Sequence, residues 1–484
     1  MAYLGFDLRL SDGVSTVYLG TASPLPVGAP GSQLVAYPIV EAPETLRVAS
    51  RDADGAAIVG VRRENVSEGA TISIGYTFAD AQWVLGTINR LLRQAEERQK
   101  YGRGLPVYLE VDTGTGDFWR SEILAGRAAP DAATLGGYWR TRGQLQVAVK
   151  WLRRSFWEGP EIELRLRNTS FGAASYAPGG VVVFNHFDPP GSDDGGHYNW
   201  FEVDPSNLGF ADLPAPMRMT LQAFSSGVTV CRVVVAGGLL DLSLPWGMDG
   251  GGPVIEGETC ADGTRFMGAD ETDASGGAYR SLNAPGTSAR RFATWPLGAF
   301  WLAGAGREFV RVFMRIVGEV PAGARVRLKL NSGVGMIWSG PEVILEGGHE
   351  LQDLGVVQLP PGNLMATANL TLDLWGHWAT GDIGIDYVAF LPLVSYRRYA
   401  PLIPTVGVAY WEQLVDDGLA GQVYVQRGAG AVPDYAARGA QLLVYPHTFK
   451  ANRFSVFWED GSGAALAKWQ VKVQAWYRPR RASL

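Results

Sequence analysis

The chain is poor in cysteine: Cys231 and Cys260 are the only two in 484 residues. That excludes a disulfide framework, and no CxxC spacing offers a start for a metal site. Both thiols are expected to be reduced, buried, small hydrophobes. Histidine is almost as scarce, with five. No stretch approaches the roughly 20 apolar residues of a membrane span. The first residues, MAYLGFDLRLSDG, lack a charged segment followed by an apolar run, so no secretory signal is expected. The expectation is synthesis in a cytoplasm and export only as part of an assembly. There is no basic block, and the formal net charge is −6. Broad electrostatic binding of nucleic acid needs clustered Lys and Arg and is not expected.

Glycine (62), proline (28) and tryptophan (16) are plentiful. With 46% hydrophobic and 19% charged residues the chain is globular, long enough for about three domains, and reads as mainly β. One convincing amphipathic helix interrupts this pattern, over about Asp80 to Tyr101. Asp80 is a good N-cap, and Gly102 and Gly104 are good stops. Trp83, Ile88, Leu91, Leu92 and Ala95 are read as its apolar face, with Arg90, Arg93, Glu97 and Arg98 on the other. On either side the period is two. Ile72, Ile74, Tyr76 and Phe78 alternate with small polar residues, and Val107, Leu109 and Val111 with Tyr108, Glu110 and Asp112.

Further strands are read at Val14 to Leu19, Leu34 to Ile39, Phe118 to Leu124 and Leu145 to Leu152. Leu46 to Val48 and Ala57 to Val61 read as a hairpin across RDADG. Gly159-Pro160 is a plausible boundary. Beyond it the helix signal disappears. The region 237–393 reads as a self-contained sandwich or jelly roll, with strands such as EFVRVFMRIVG, ARVRLKLN and IGIDYVAFLPL. The strands on both sides of it can complete one sandwich. The expected domains are therefore 1–160, then 161–236 joined with 394–484, with 237–393 inserted. An insertion into an exposed loop costs little when its ends are close.

Catalytic signatures are missing. GxSxG and a usable Ser/His/Asp order are absent, and Cys260 has no neighbouring histidine to activate it. With 48 acidic residues no carboxylate pair stands out for glycoside hydrolysis. His186 and His197 share a loop with Asp188, Asp193 and Asp194, but the spacing matches no metal motif, and a solvated loop is the better reading. The Gly250–Gly252 run is not set between a strand and a helix, as a phosphate loop would be. No catalytic, cofactor-binding or metal residue is assigned. In the middle region Trp338, Trp375, Trp378 and Tyr387, with Asp386, can form a sugar-stacking platform. The alternative is that these alternating aromatics are sandwich core.

Residues 71–157 resemble the N-terminal domain of phage distal tail proteins, of the siphophage tail-component superfamily. The resemblance lies in TISIGYTF, the helix ADAQWVLGTINRLLRQAEERQ, PVYLEV, FWRSEILAG (where the family has a segment of the type YRSEILxG) and LQVAVKWLRRSFW, in that order. YPHTFKANRFSVFWEDG and WQVKVQAWYRPR look like the last strands of that family's second, galectin-like sandwich. DASGGAYRSL and IGIDYVAFLPL are similar to carbohydrate-binding-module jelly rolls. The resemblance implies a tail-tube-like β-sandwich with one flanking helix, followed by galectin-like and jelly-roll sandwiches projecting outward.

It also implies a non-enzymatic virion protein of a long-tailed phage, assembled in the host cytoplasm. Such a subunit would form a homo-oligomeric ring, six-fold or three-fold, joining the tail tube to the tip or baseplate. Its partners would be other tail tube and tail tip proteins, and a host surface glycan is a further candidate. A tail tube protein with decoration domains and a virion-surface carbohydrate-binding or adhesion protein are the alternatives.

Overall fold

The computed structural model describes residues 7–20, 32–37, 44–51, 55–75, 78–112, 114, 116–130, 144–168, 175–184, 199–209, 211–224, 229–241, 254–257, 260, 264–267, 278–283, 286–297, 309–333, 335–358, 370–392, 396–403, 407–446, 450–460 and 470–483. The fold is mainly β, in antiparallel sheets, with one α-helix among the described residues. It divides into two compact units. The first comprises Met1–Glu161 with Phe210–Leu213 and Arg478–Leu484, and the second comprises Ile162–Gly209 and Pro214–Tyr477.

In the first unit the strands are β1 (Asp7–Ser11), β2 (Thr16–Gly20), β3 (Gln33–Ala36), β4 (Glu44–Arg51), β5 (Gly55–Arg63), β6 (Val66–Gly75), β7 (Val107–Asp112), β8 (Phe118–Pro130), β9 (Gln144–Arg153) and β10 (Trp157–Glu158). One sheet runs β2-β1-β7-β8-β9-β6-β3. Its two ends meet, because the Ser32 N–H just before β3 donates to the Tyr18 carbonyl of β2 at 2.9 Å. β10 joins β8 on one side and the short strand Arg480–Arg481 on the other. β4 and β5 pair only with each other among the described residues.

The helix α1 (Phe78–Tyr101) begins before Asp80, so Asp80 falls within the first turn instead of capping it. Ala81, Val84, Ile88, Leu91, Leu92 and Ala95 are buried in one core with Leu8, Leu10, Val17, Ile72, Leu109 and Val147 of the strands. Trp83, expected on this face, is 51% exposed. At 100° per residue it sits about 140° round the helix from Ile88, whereas Val84 sits about 40° away. Gly102 ends the helix with φ of 64° and donates its N–H to the Arg98 carbonyl at 2.8 Å. β7 alternates as expected, with Val107, Leu109 and Val111 inside.

The opposite face of this sheet carries a cross-strand row of charges. Arg9 faces both Tyr18 and Glu110 in register, Glu110 faces Arg120, Arg120 faces Glu158, and Glu158 faces Arg480. Arg9–Glu110 closes at 2.6 Å and Arg480–Glu158 at 2.7 Å. Inside the unit, the Glu68 carboxylate is fully buried beside Arg153 at 2.7 Å. It also accepts from Tyr37 Oη at 2.9 Å and Trp151 Nε1 at 3.1 Å. A carboxylate so desolvated needs that full set of donors.

The second unit stacks four sheets. Sheet I is Ile162–Glu163, Gln470–Tyr477, Ala215–Ala223, Gln413–Asp417, Gln422–Arg427 and Gly430–Val432. Sheet II is Leu166–Arg167, Trp200–Val203, Lys450–Asp460, Val230–Asp241, Tyr396–Pro401 and Tyr435–Gly439. Sheet III is Thr264–Met267, Ala278–Leu282, Ile383–Pro392, Phe309–Val317 and Leu351–Gln358. Sheet IV is Gly286–Leu297, Leu370–Trp378, Arg325–Ser332 and Gly335–Ser339. One core, with Met219, Leu221, Phe454 and Val473, lies between I and II. Another, with Val312, Leu328, Leu374 and Ile385, lies between III and IV. A third, smaller layer joins II to III: Val234, Ala236, Tyr396 and Phe457 meet Phe313, Leu351, Tyr387, Ala389 and Leu391.

Candidate functional site

The five aromatic and acidic residues read as a sugar platform do not converge. Trp378 is 2% exposed, packs edge-on to Phe292 with centroids 4.8 Å apart, and donates its Nε1–H to the Gly381 carbonyl at 2.8 Å. It belongs to the core between sheets III and IV. Tyr387 is equally buried but on the opposite face of sheet III, 5.7 Å from the Phe457 ring of sheet II. Asp386 is fully buried and pairs with Arg315 at 2.7 Å. Trp338 is half-buried and packs onto the III–IV core. Trp375 alone lies on the face of sheet IV away from that core. It is half-buried, with Lys329 Nζ 3.6 Å from its ring centroid. The platform reading is thus corrected for Trp378, Asp386 and Tyr387, whose rings and carboxylate are interior.

The interior placement has a local cause. Strand Ile383–Pro392 shifts register against Phe309–Val317 between Arg315 and Ile316. Before the shift Ile383 and Ile385 face the III–IV core; after it Val388 and Phe390 do, while Tyr387, Ala389 and Leu391 face sheet II. Asp386 falls at the irregularity, where its carboxylate meets the Arg315 guanidinium.

Charged side chains surround the II–III layer. Arg315 also reaches Glu350 at 3.2 Å, Glu459 takes the Leu351 N–H at 2.7 Å and lies 3.0 Å from His349 Nδ1, and Arg232 pairs with Glu346 at 2.6 Å. Burial pushes the Glu350 carboxyl up; Glu459 and Asp386 add to this, and Arg315 opposes it. Glu346 lies below its ordinary value: burial acts to raise it, but the hydrogen bond and charge of Arg232, with Arg398, outweigh that. These groups are engaged with one another across a packed joint, and the arrangement offers no nucleophile with a base beside it.

The first unit holds an open groove of about 830 Å³ between α1 and the β1–β2 turn, lined in part by Asp12, Arg90, Gln94, Tyr101 and Leu105. Asp12 is spent on structure. It accepts the Ser15 and Val14 N–H groups at 2.6 and 3.0 Å and the Gln94 amide at 3.2 Å. Its carboxyl is lowered, because those bonds and Arg90 outweigh its burial. Among the described residues no group of three or more His, Cys, Asp or Glu is placed to hold a metal ion, and no helix is long and apolar enough to cross a membrane. His186, His197, Asp188, Asp193 and Asp194 lie outside the described residues. Cys231 and Cys260 are both buried, and neither is in a disulfide.

The surface aromatics are elsewhere. Phe224, Tyr410 and Trp411 are 48%, 43% and 73% exposed, where sheet I ends. In the sequence the only trace of this is a Tyr-Trp pair in the short segment GVAYWEQ ahead of a strand.

No protein-family model matches the sequence, and no curated protein does. Solved structures similar to the chain include the Dit protein (gp 19.1) of phage SPP1, described as a paradigm of the hub adsorption apparatus in phages infecting Gram-positive bacteria. It is 6% identical, with 93% of each chain covered and a TM-score of 0.28. The phage P2 baseplate in its activated conformation with Ca is 8% identical over 99% of each chain, with a TM-score of 0.31. The VP2 subviral particle of infectious bursal disease virus is 10% identical over 66% of this chain and 79% of that one, with a TM-score of 0.16. Scores this low do not establish a shared fold or function.

Proposed function

We propose that the chain is a structural, non-enzymatic subunit of a phage tail, of the distal-tail type, whose first unit builds a homo-oligomeric ring with other tail proteins. The reading starts from the sequence resemblance of residues 71–157. The segments that carry it form β6, α1, β7, β8 and β9, which lie together in one helix-backed sheet. The observation that carries the ring is the β4–β5 hairpin. Its strands are 8 and 9 residues long and pair with no third strand among the described residues. An isolated two-stranded hairpin is marginal in water, and its unpaired edges are templates for another chain. Ring closure from identical copies needs such a head-to-tail contact. We propose the division 1–160, 161–236 with 394–484, and an inserted 237–393, with the exception that Phe210–Leu213 and Arg478–Leu484 pack with the first unit.

The test is light scattering with negative-stain imaging of the full chain, alone and with other tail components, beside a variant in which residues 46–61 are replaced by a short Gly-Ser turn. Rings with a central hole from the intact chain, and folded monomers from the variant, are expected. A strict monomer under both conditions overturns the proposal, and rings from the variant overturn the role of the hairpin.

A further inference from the structure

The outer face of sheet I carries a row of long polar side chains. Met217, Met219, Leu221 and Ala223 point into the I–II core, as do Leu414, Val425, Val471 and Val473. Strand alternation therefore puts Gln222, Phe224, Gln413, Gln426 and Lys472 on the other side. Lys472 faces Gln222 in register and Gln413 faces Gln426. Gln413 Nε2 reaches Gln222 Oε1 at 3.3 Å, which joins the two pairs into a row across four strands. The row is half-buried, and along the chain the exposed Phe224 follows Gln222 by two residues and the exposed Trp411 precedes Gln413 by two.

The turn that presents Trp411 is braced. Glu412 N–H donates to the Ala409 carbonyl at 2.9 Å, and Glu412 Oε2 accepts the Ala409 N–H at 3.0 Å. Glu412 Oε1 is held by Arg427 at 2.8 Å, and Gln222 Nε2 donates to the Tyr410 carbonyl at 3.1 Å. A turn fixed in this way pays little further backbone ordering entropy when its exposed indole meets a ligand.

We propose that this face binds a neutral oligosaccharide. Sugar rings present flat C–H faces that stack on an indole, and hydroxyls that both give and take hydrogen bonds. A side-chain amide supplies both roles. Each of Gln413 and Gln426 uses one N–H in its protein contact, toward Gln222 and the Gly428 carbonyl. Their carbonyl oxygens and second N–H groups remain for a ligand. Beside Trp411 the Arg427 charge is cancelled by Glu412 and Asp434, and Lys472, at the far end of the row, adds one cation to it. Size argues against a second copy of the chain. The exposed parts of Trp411, Phe224 and Tyr410 amount to on the order of 400 Å², about half of the ~800 Å² each partner gives to a stable protein interface. The proposal does not depend on the tail reading.

The full-length protein is applied to a microarray of neutral oligosaccharides built from hexoses and N-acetylhexosamines, and hits are titrated by calorimetry. Trp411→Ala is expected to weaken binding at least about tenfold, Gln413→Ala several-fold, and Trp375→Ala not at all. An unchanged melting temperature for Trp411→Ala separates lost contact from lost fold. Absence of binding by the wild-type chain at millimolar ligand overturns the proposal, as does full binding by Trp411→Ala. Loss in Trp375→Ala instead moves the site to sheet IV. Self-association that Trp411→Ala abolishes, without glycan binding, assigns the face to a second copy.

Discussion

The sandwich of sheets III and IV and the sheet I end of the second unit use the same residue types in opposite ways. In sheets III and IV, Trp378 and Tyr387 are 2% exposed and hold layers together. At sheet I, Trp411 and Phe224 are 73% and 48% exposed and face water. The difference lies in what covers each sheet. Sheet III is packed on both faces, by IV on one side and by II on the other. Sheet I has a packed face, toward II, and a solvated one. An aromatic on a strand therefore reports a core or a binding face only once the neighbouring layers are known.

Breaking the inner set should have the largest effects. Trp378→Ala and Tyr387→Ala each empty a ring-sized space and should cost about 3–5 kcal/mol in denaturant unfolding, while glycan binding by the folded fraction is unchanged. Asp386→Asn leaves Arg315 buried with Glu350 as its remaining acidic partner. A loss of about 3 kcal/mol is expected, as for other broken buried pairs, and a loss below 1 kcal/mol would mean that water reaches the site.

A smaller effect separates the two glutamates of the II–III joint by pH. Glu350 has a raised value, so the folded chain binds its proton more tightly than the unfolded one. The charged form then weakens the fold at neutral pH, and that penalty fades as the pH falls through the raised value. Glu350→Gln should raise the melting temperature at neutral pH and leave it nearly unchanged in acid. Glu346 is lowered, so it contributes stability above the ordinary glutamate range, which is lost as pH falls through the lowered value. Glu346→Gln should lower the melting temperature at neutral pH only. Melting curves from mild acid to neutral check both, and parallel shifts at every pH would refute the assignment. Trp411→Ala should be the least felt of all in stability, within about 0.5 kcal/mol.

Much of the first unit was legible because its sheet obeys simple periods. Val107 to Asp112 alternates cleanly, and α1 has a single apolar stripe from Ala81 to Ala95. Trp83 departs from the apolar stripe because its angular position, not its hydrophobicity, decides which way it faces. Strand Asp7–Ser11 was not foreseen, since five residues are too short a run to show a period. Little of the candidate site was legible. IGIDYVAFLP reads as an almost unbroken apolar run because both its faces are covered, and the side to which each ring turns depends on the register shift at Arg315. The glutamine row of sheet I is drawn from strands some 250 residues apart, from Gln222 to Lys472, and only pairing brings it together.

The pairing of β10 with Arg480–Arg481 has a consequence in time. Glu158 and Arg480 are 322 residues apart, and both belong to the first unit's sheet. At about 5–20 residues per second a ribosome needs roughly 16–64 s to make the intervening chain. For that interval the nascent first unit carries an open strand edge at β10, which Arg480–Arg481 covers only once the second unit has been made.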